Sequence, residues 1–368
     1  MFDRRLVSGF DWTLFSLCLV LSVLGIVNLY SAGSAALSLN HSATPHYLKQ
    51  IYWLLVGLGF LAVTVTIDYQ FVARHSYLLH GLSLILLLLA LLWGRPTAGT
   101  HRWLQLGGVS LQPSEFAKIT LILLLARHFS ELNMSAPLRL QDFSLPILAT
   151  LITFFLIFLE PDLGTAALIV LIFISFVFFL HLGLRYVTAL ALSGAALLPI
   201  AWLFLEDYQK RRVFAFLSPG KYSLQAGYQA IQSKIAVGSG MLLGKGFLCG
   251  TQSQLRFLPE QHTDFAFSVW AEEWGFAGSL LLVLLLFLFV SKGLRVAAQS
   301  RDRLGSFVSA GLASILFCQV FINVGMVTGL LPVAGIPLPF FSYGGSSLVS
   351  TWITIGLLLN IRMRKFMF

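Results

Sequence analysis

The stretch Gly278-Ser279-Leu280-Leu281-Leu282-Val283-Leu284-Leu285-Leu286-Phe287-Leu288-Phe289-Val290 decides the fold. It has no charge, no break and no polar/apolar alternation. Leu82–Trp93 and Ala166–Leu182 read the same way. Lipid is the solvent such runs require. Within a bilayer only helices or closed barrels satisfy their own backbone, and a barrel strand would alternate. The whole 368-residue chain agrees: 57% of it is hydrophobic and 11% charged, against about 25% charged in a soluble domain. Its mean hydropathy is +0.85. The reading is an all-α polytopic membrane protein.

At about 20 apolar residues per span, about ten helices are expected, near 12–32, 49–67, 76–93, 114–131, 143–160, 164–182, 186–205, 265–290, 306–328 and 343–361. Arg4 and Arg5 before the first run mimic a secretory signal, but Trp12–Tyr30 is too long for one and reads as an uncleaved span. With a cytoplasmic N-terminus, thirteen of the 24 Lys and Arg fall in inner segments, among them Arg127, Arg295, Arg303 and Arg364. The short outer segments hold only Lys49, Arg95, Arg102 and Lys118. The rest lie in a long outer loop at about 206–263, which is exempt from the charge rule. Both termini are expected inside, and residues 1–368 form one membrane domain.

The net charge of +9 is scattered through loops, which excludes a nucleic-acid surface. Cys18, Cys249 and Cys318 provide neither a disulfide framework nor a metal site. Gly238–Gly246 has the wrong spacing for a phosphate loop and reads as a flexible turn. Within the long loop, Leu224, Tyr228, Ile231 and Ile235 recur at helical spacing. That describes an amphipathic helix lying either on the outer leaflet or on the bundle top.

Four outer patches could carry chemistry. His101–Gly108 leads into Gln112–Lys118, where Glu115 and Lys118 share a helix face. They form either a structural ion pair or part of a site. Glu160-Pro161-Asp162 puts two acids between spans, and Asp162 could also cap the next helix. The long loop holds Lys210, Arg211, Arg212, Lys221, Lys234, Lys245 and Arg256, a collar open to ordinary solvation or to a phosphorylated head group. It ends in Leu258-Pro259-Glu260-Gln261-His262-Thr263-Asp264, immediately before apolar Phe265–Trp270. Asp264 either caps that helix or, poorly hydrated at the lipid boundary, becomes a base. Pro332–Ser347 breaks the helix between the last two spans, so it lines a pocket or packs deep. His262 and Asp264 lack a third ligand, and no protein metal site is expected.

Taken together these patches resemble the RodA/FtsW/SpoVE, or SEDS, family. The resemblance runs nearly end to end. It is carried by Arg102-Trp103-Leu104, Gln112-Pro113-Ser114-Glu115 with Ala117-Lys118, Pro161-Asp162-Leu163-Gly164-Thr165, Gly244-Lys245-Gly246 and Leu258–Phe265. Asn323, Gly329, Pro332, Gly335 and Ser342-Tyr343-Gly344-Gly345-Ser346-Ser347 complete it. Length and Gln252–Glu260 look more like the elongation member than the division member.

The resemblance implies a glycosyltransferase of ten spans in the bacterial cytoplasmic (inner) membrane, polymerising lipid II on the outer side. A class B penicillin-binding protein would crosslink the strands, within the elongation machinery. Asp264 matches the family's essential loop aspartate and is the expected catalytic base. Arg102, Trp103, Glu115, Lys118, Asp162, Arg211, Arg212, Lys234 and Lys245 are the expected substrate-binding residues. The sequence requires no cofactor; a divalent cation, Mg or Mn, bridging the pyrophosphate is compatible with it. A lipid II flippase and a non-catalytic scaffold for the crosslinking enzyme are the rival readings.

Overall fold

In the computed structural model, residues 9–37, 45–97, 100–107, 109–132, 139–180, 205–218 and 226–366 are described, with isolated positions between 188 and 203. The expected span at 186–205 and Lys221 fall almost wholly outside them. Helices replace the other expected spans in order: α1 (Trp12–Leu37), α2 (His46–Thr66), a short α3 (Tyr69–Arg74), α4 (Ser76–Trp93), α5 (Pro113–Glu131), α6 (Ser144–Leu159) and α7 (Leu163–Phe179). The long loop folds into α8 (Asp207–Leu217), α9 (Ala226–Ser239) and one-turn α10 (Thr251–Gln254). Three helices close the chain: α11 (Ala266–Gln299), α12 (Arg303–Thr328) and α13 (Gly345–Met363).

Among the described residues, α1, α2, α4, α6, α11, α12 and α13 are long and apolar enough to cross a membrane. The chain is a multi-pass, mostly helical membrane protein. Burial sorts the helices: 83% of the α13 window is inside the protein, against 22% for α2. So α13 is central, and α2 presents most of its surface outward. The two pack tightly because glycines let them approach. A Cβ on Gly57 would meet Trp352 Cδ1 at 2.6 Å, and one on Gly356 would meet Thr64 Oγ1 at 1.8 Å. Inside α13, Thr351 and Thr354 donate to carbonyls one turn back, at 2.7 and 2.9 Å, which removes the cost of burying them.

Three features depart from the expectation. The fold is not wholly helical: β1 (Arg95–Thr97), β2 (Thr100–Leu106) and β3 (Val109–Leu111) form a small antiparallel sheet in that order. Gly107 supplies the left-handed turn between β2 and β3 (φ 56°). Ser346 at the start of α13 stitches the sheet down, accepting from Gln112 N at 3.0 Å and donating to Ser110 O at 3.4 Å.

Next, α11 runs past 290 to Gln299 and breaks at Gly275 (φ 64°, ψ −161°). The N–H groups of Phe276 and Ala277 bond instead to Met241 O (2.8 Å) and Leu242 O (3.0 Å) of the turn after α9.

Finally, α9 packs on α11 and α12 through small residues. Ser233 is fully buried, donating to Val327 O at 2.8 Å and bonded to Ser268 Oγ at 2.9 Å. Ile235, assigned to an apolar face, is exposed. The helix therefore sits on the bundle top. The proline-rich segment before α13 packs deep: Ile336, Leu338, Phe340 and Phe341 are buried.

Candidate active site

Asp264 occupies the turn leading into α11. Its carbonyl accepts from Asn323 Nδ2 at 3.0 Å, and the same amide donates to Ile336 O at 2.7 Å. One buried α12 side chain thus ties the Asp264 turn to the proline-rich segment. There the left-handed Gly335 (φ 70°) lets backbone pass close to the carboxylate. A Cβ on Gly335 would lie 3.4 Å from Asp264 Oδ2 and 3.9 Å from Arg212 Nη1. Arg212 reaches over from α8 and donates to Val333 O at 3.4 Å.

The opposite wall comes from the sheet and α7. Arg102 on β2 pairs with Asp162 Oδ2 at 3.2 Å. Asp162 also caps α7, accepting from Thr165 N at 3.1 Å and Thr165 Oγ1 at 3.0 Å. Sheet, α7, α8 and the Asp264 turn thereby converge, although 162 residues separate Arg102 from Asp264.

Burial pushes the Asp264 carboxyl up to about 6; the Glu260 charge adds to this, Arg212 and Arg102 oppose it, and Asp162 adds a little more. The side chain nonetheless keeps partial exposure. A carboxyl that ionises just below neutral pH, partly exposed and under the influence of two guanidinium charges, is equipped to take a proton. The same cations can hold an anion.

The remaining expected residues divide. Lys234 lies against Gly329 and lines a cleft with Arg212, Leu331, Pro332 and Val333. Arg211 is exposed on α8, and Trp103 is half-buried on β2, paired in register with Arg95. Glu115 and Lys118 form a buried pair at 2.7 Å, with Ser350 Oγ donating to Glu115 Oε2 at 2.8 Å. Both members sit on α5, facing α13, and neither is among the leading influences on the Asp264 carboxyl. Lys245 bonds Glu272 Oε1 at 2.6 Å, and Gln252 N donates to the same carboxylate. Its role there is to neutralise an acid buried in α11.

Three features go beyond what the sequence shows. Glu160 is fully buried, and neither carboxylate oxygen has a hydrogen-bond partner. Burial, followed by the Asp162 charge and opposed by Arg102, pushes it up to about 8, so it is protonated at neutral pH. Its place directly after an apolar run was the available signal. The second is the dual role of Asn323. The third is a ring cluster at the site's edge, His46 to His262 at 4.5 Å and His46 to Tyr343 at 4.7 Å. Burial, with His46 and Arg256 nearby, pulls His262 down to about 4, so it is neutral. Among the described residues no group of three or more His, Cys, Asp or Glu could hold a metal ion.

The FtsW/RodA/SpoVE family, described as cell cycle proteins, matches residues 11–366. The chain belongs to that family. It is 41% identical over 318 residues to "Peptidoglycan glycosyltransferase MrdB" of Escherichia coli strain K12, covering 86% of this chain and 85% of the relative. "Peptidoglycan glycosyltransferase RodA" of Treponema pallidum is 32% identical, covering 98% and 99%. Among solved structures, a chain from work on the structural coordination of polymerization and crosslinking by a peptidoglycan synthase complex superposes with a TM-score of 0.82 at 32% identity, covering 97% and 98%. The crystal structure of the Thermus thermophilus rod shape determining protein RodA gives 0.72 at 30% identity, with the same coverage.

Proposed function

We propose that this chain is a peptidoglycan glycosyltransferase that polymerises lipid II at the outer face of the bacterial cytoplasmic membrane during elongation. The glycosyltransferase names of its relatives support the activity. The observation that carries the mechanism is Asp264, pushed up to about 6 and brought near Arg212 at Gly335, with the Arg102 charge also acting on it. Asp264 removes the proton from the acceptor sugar hydroxyl. That oxygen bonds to the donor's anomeric carbon as the carbon–oxygen bond to pyrophosphate breaks, inverting an α-link to a β-link. The bonding pair departs with undecaprenyl pyrophosphate. Arg102, Arg212 and Lys234 meet the developing negative charge, which cations in a partly dry cleft stabilise more than cations in water. Asp162 holds Arg102 in place, Trp103 and Arg211 border the groove, and the Glu115–Lys118 pair and Lys245 support it from the bundle and the loop.

Ten spans with both termini inside complete the topology, which would put the site on the outer side. The partner is a class B penicillin-binding protein, a reading supported by the likeness to a chain of a synthase complex. A divalent cation, Mg or Mn, would add positive charge against the leaving pyrophosphate, beside Arg102, Arg212 and Lys234.

The test is conversion of labelled lipid II to glycan polymer by purified chain in detergent, with and without the partner. Polymer in the product supports the enzyme. Lipid II that crosses vesicles but is never polymerised would make the chain a flippase.

A further inference from the structure

Two polar layers fix where the bilayer lies on this protein. At one end, Lys292 Nζ donates to Thr13 Oγ1 at 2.6 Å and Arg362 pairs with Asp11 at 3.1 Å. At the other, Ser31 bonds Glu273, and Lys245 pairs with Glu272. At about 1.5 Å per residue, Thr13 to Ser31 along α1 is about 27 Å and Glu273 to Lys292 along α11 is about 28 Å. Both match a hydrocarbon core of about 30 Å. Phe276 and Ala277 are then about one turn, or 5 Å, beneath the outer polar layer.

The turn after α9 reaches that depth. Its Met241 and Leu242 carbonyls accept the Phe276 and Ala277 N–H groups freed by the break at Gly275. Glycines allow the crossing: a Cβ on Gly244 would meet Glu273 O at 2.1 Å, and one on Gly275 would meet Gly244 N at 2.3 Å. The side chains at the tip are largely uncovered by the described residues. Met241, Leu242 and Leu243 are 80%, 71% and 83% exposed. They continue an outward apolar stripe on α11, formed by Phe276, Leu280, Leu284 and Phe287 at helical spacing.

We propose that the Met241–Leu243 turn is inserted among the acyl chains of the adjacent leaflet, anchoring the outer loop to the bilayer. Its backbone is already bonded to α11, so immersion leaves the Met241 and Leu242 carbonyls satisfied, the condition for non-helical backbone at membrane depth. Three aliphatic side chains leave water. The anchor sets the depth of α9, and with it the Lys234 side of the cleft.

The experiment uses the full chain in phosphatidylethanolamine–phosphatidylglycerol vesicles, its native cysteines replaced by alanine, with an environment-sensitive fluorophore on Leu242→Cys. The expected result is blue-shifted emission, quenched by lipids brominated on the acyl chain and not by aqueous iodide. Leu243→Cys should behave alike, and a label on Asp207→Cys should show the reverse. Quenching by iodide would overturn the proposal. So would quenching by neither agent, which would mean that protein, such as a second copy of the chain, covers the turn. Neither labelling result depends on whether lipid II is the substrate.

Discussion

Replacing Arg212 with Met should move the pH dependence of polymerisation in a direction the geometry fixes. Arg212 Nη1 and Asp264 Oδ2 both lie within 4 Å of one point beside Gly335, so they are less than about 8 Å apart. At an effective dielectric constant of about 20, unit charges about 7 Å apart attract by about 2 kcal/mol. Water in the cleft screens part of that, leaving about 1.4 kcal/mol, or about one pKa unit. Arg212 opposes the upward push on Asp264, so its loss lets the carboxyl rise from about 6 towards 7. The base form is the ionised one, so activity falls as pH drops through that value. The acid limb of the initial polymerisation rate should therefore move about one pH unit towards neutrality. Lys245→Met is the control, because Lys245 pairs with Glu272 and is not among the leading charges acting on Asp264. An Arg212→Met limb that stays put or moves to lower pH would refute the electrostatic account.

Glu160→Gln should be more stable than the native chain. A carboxyl raised from 4.5 to about 8 favours folding below 4.5 and loses that contribution as pH rises through 8, so the gap in thermal unfolding temperature should widen across that window. Asn323→Ala strips the buried Ile336 carbonyl and the partly buried Asp264 carbonyl of their donor, at about 1–3 kcal/mol for the buried one and less for the other; it should lower both the unfolding temperature and kcat. Lys245→Met leaves Glu272 buried without its cation, and denaturation should register a loss of about 3 kcal/mol, the low end for a broken buried pair because Lys245 keeps some solvent.

Helix positions were legible because lipid imposes a one-dimensional rule: an apolar run of the right length is a span. The sheet at 95–111 was not, since three strands of three to seven residues carry too little alternation to distinguish them from a loop. The Gly275 break was not legible, because its cause is the turn at 241–244, more than thirty residues earlier. For α9, helical spacing left the outer leaflet and the bundle top both open; the bundle accepts its small face because glycine, alanine and serine allow close backbone contact. At the site, Asp264 and Asp162 were legible from their places beside apolar runs. Which cation serves which acid was not, because pairing is three-dimensional: Lys245 belongs to Glu272 and Arg102 to Asp162. Glu160 was visible as one of two acids beside Pro161, but its burial was not, because a buried acid without a partner contradicts the rule by which acids are read as solvated.

The most direct measurement is the initial rate of glycan polymerisation from purified lipid II by Asp264→Asn, with unfolding temperature and partner binding checked in the same preparation. Asparagine keeps the shape and cannot accept the proton, so the rate should fall at least about 100-fold while the fold and the complex persist. Turnover within a few-fold of the native chain, from a folded and assembled variant, would contradict the assignment of the base.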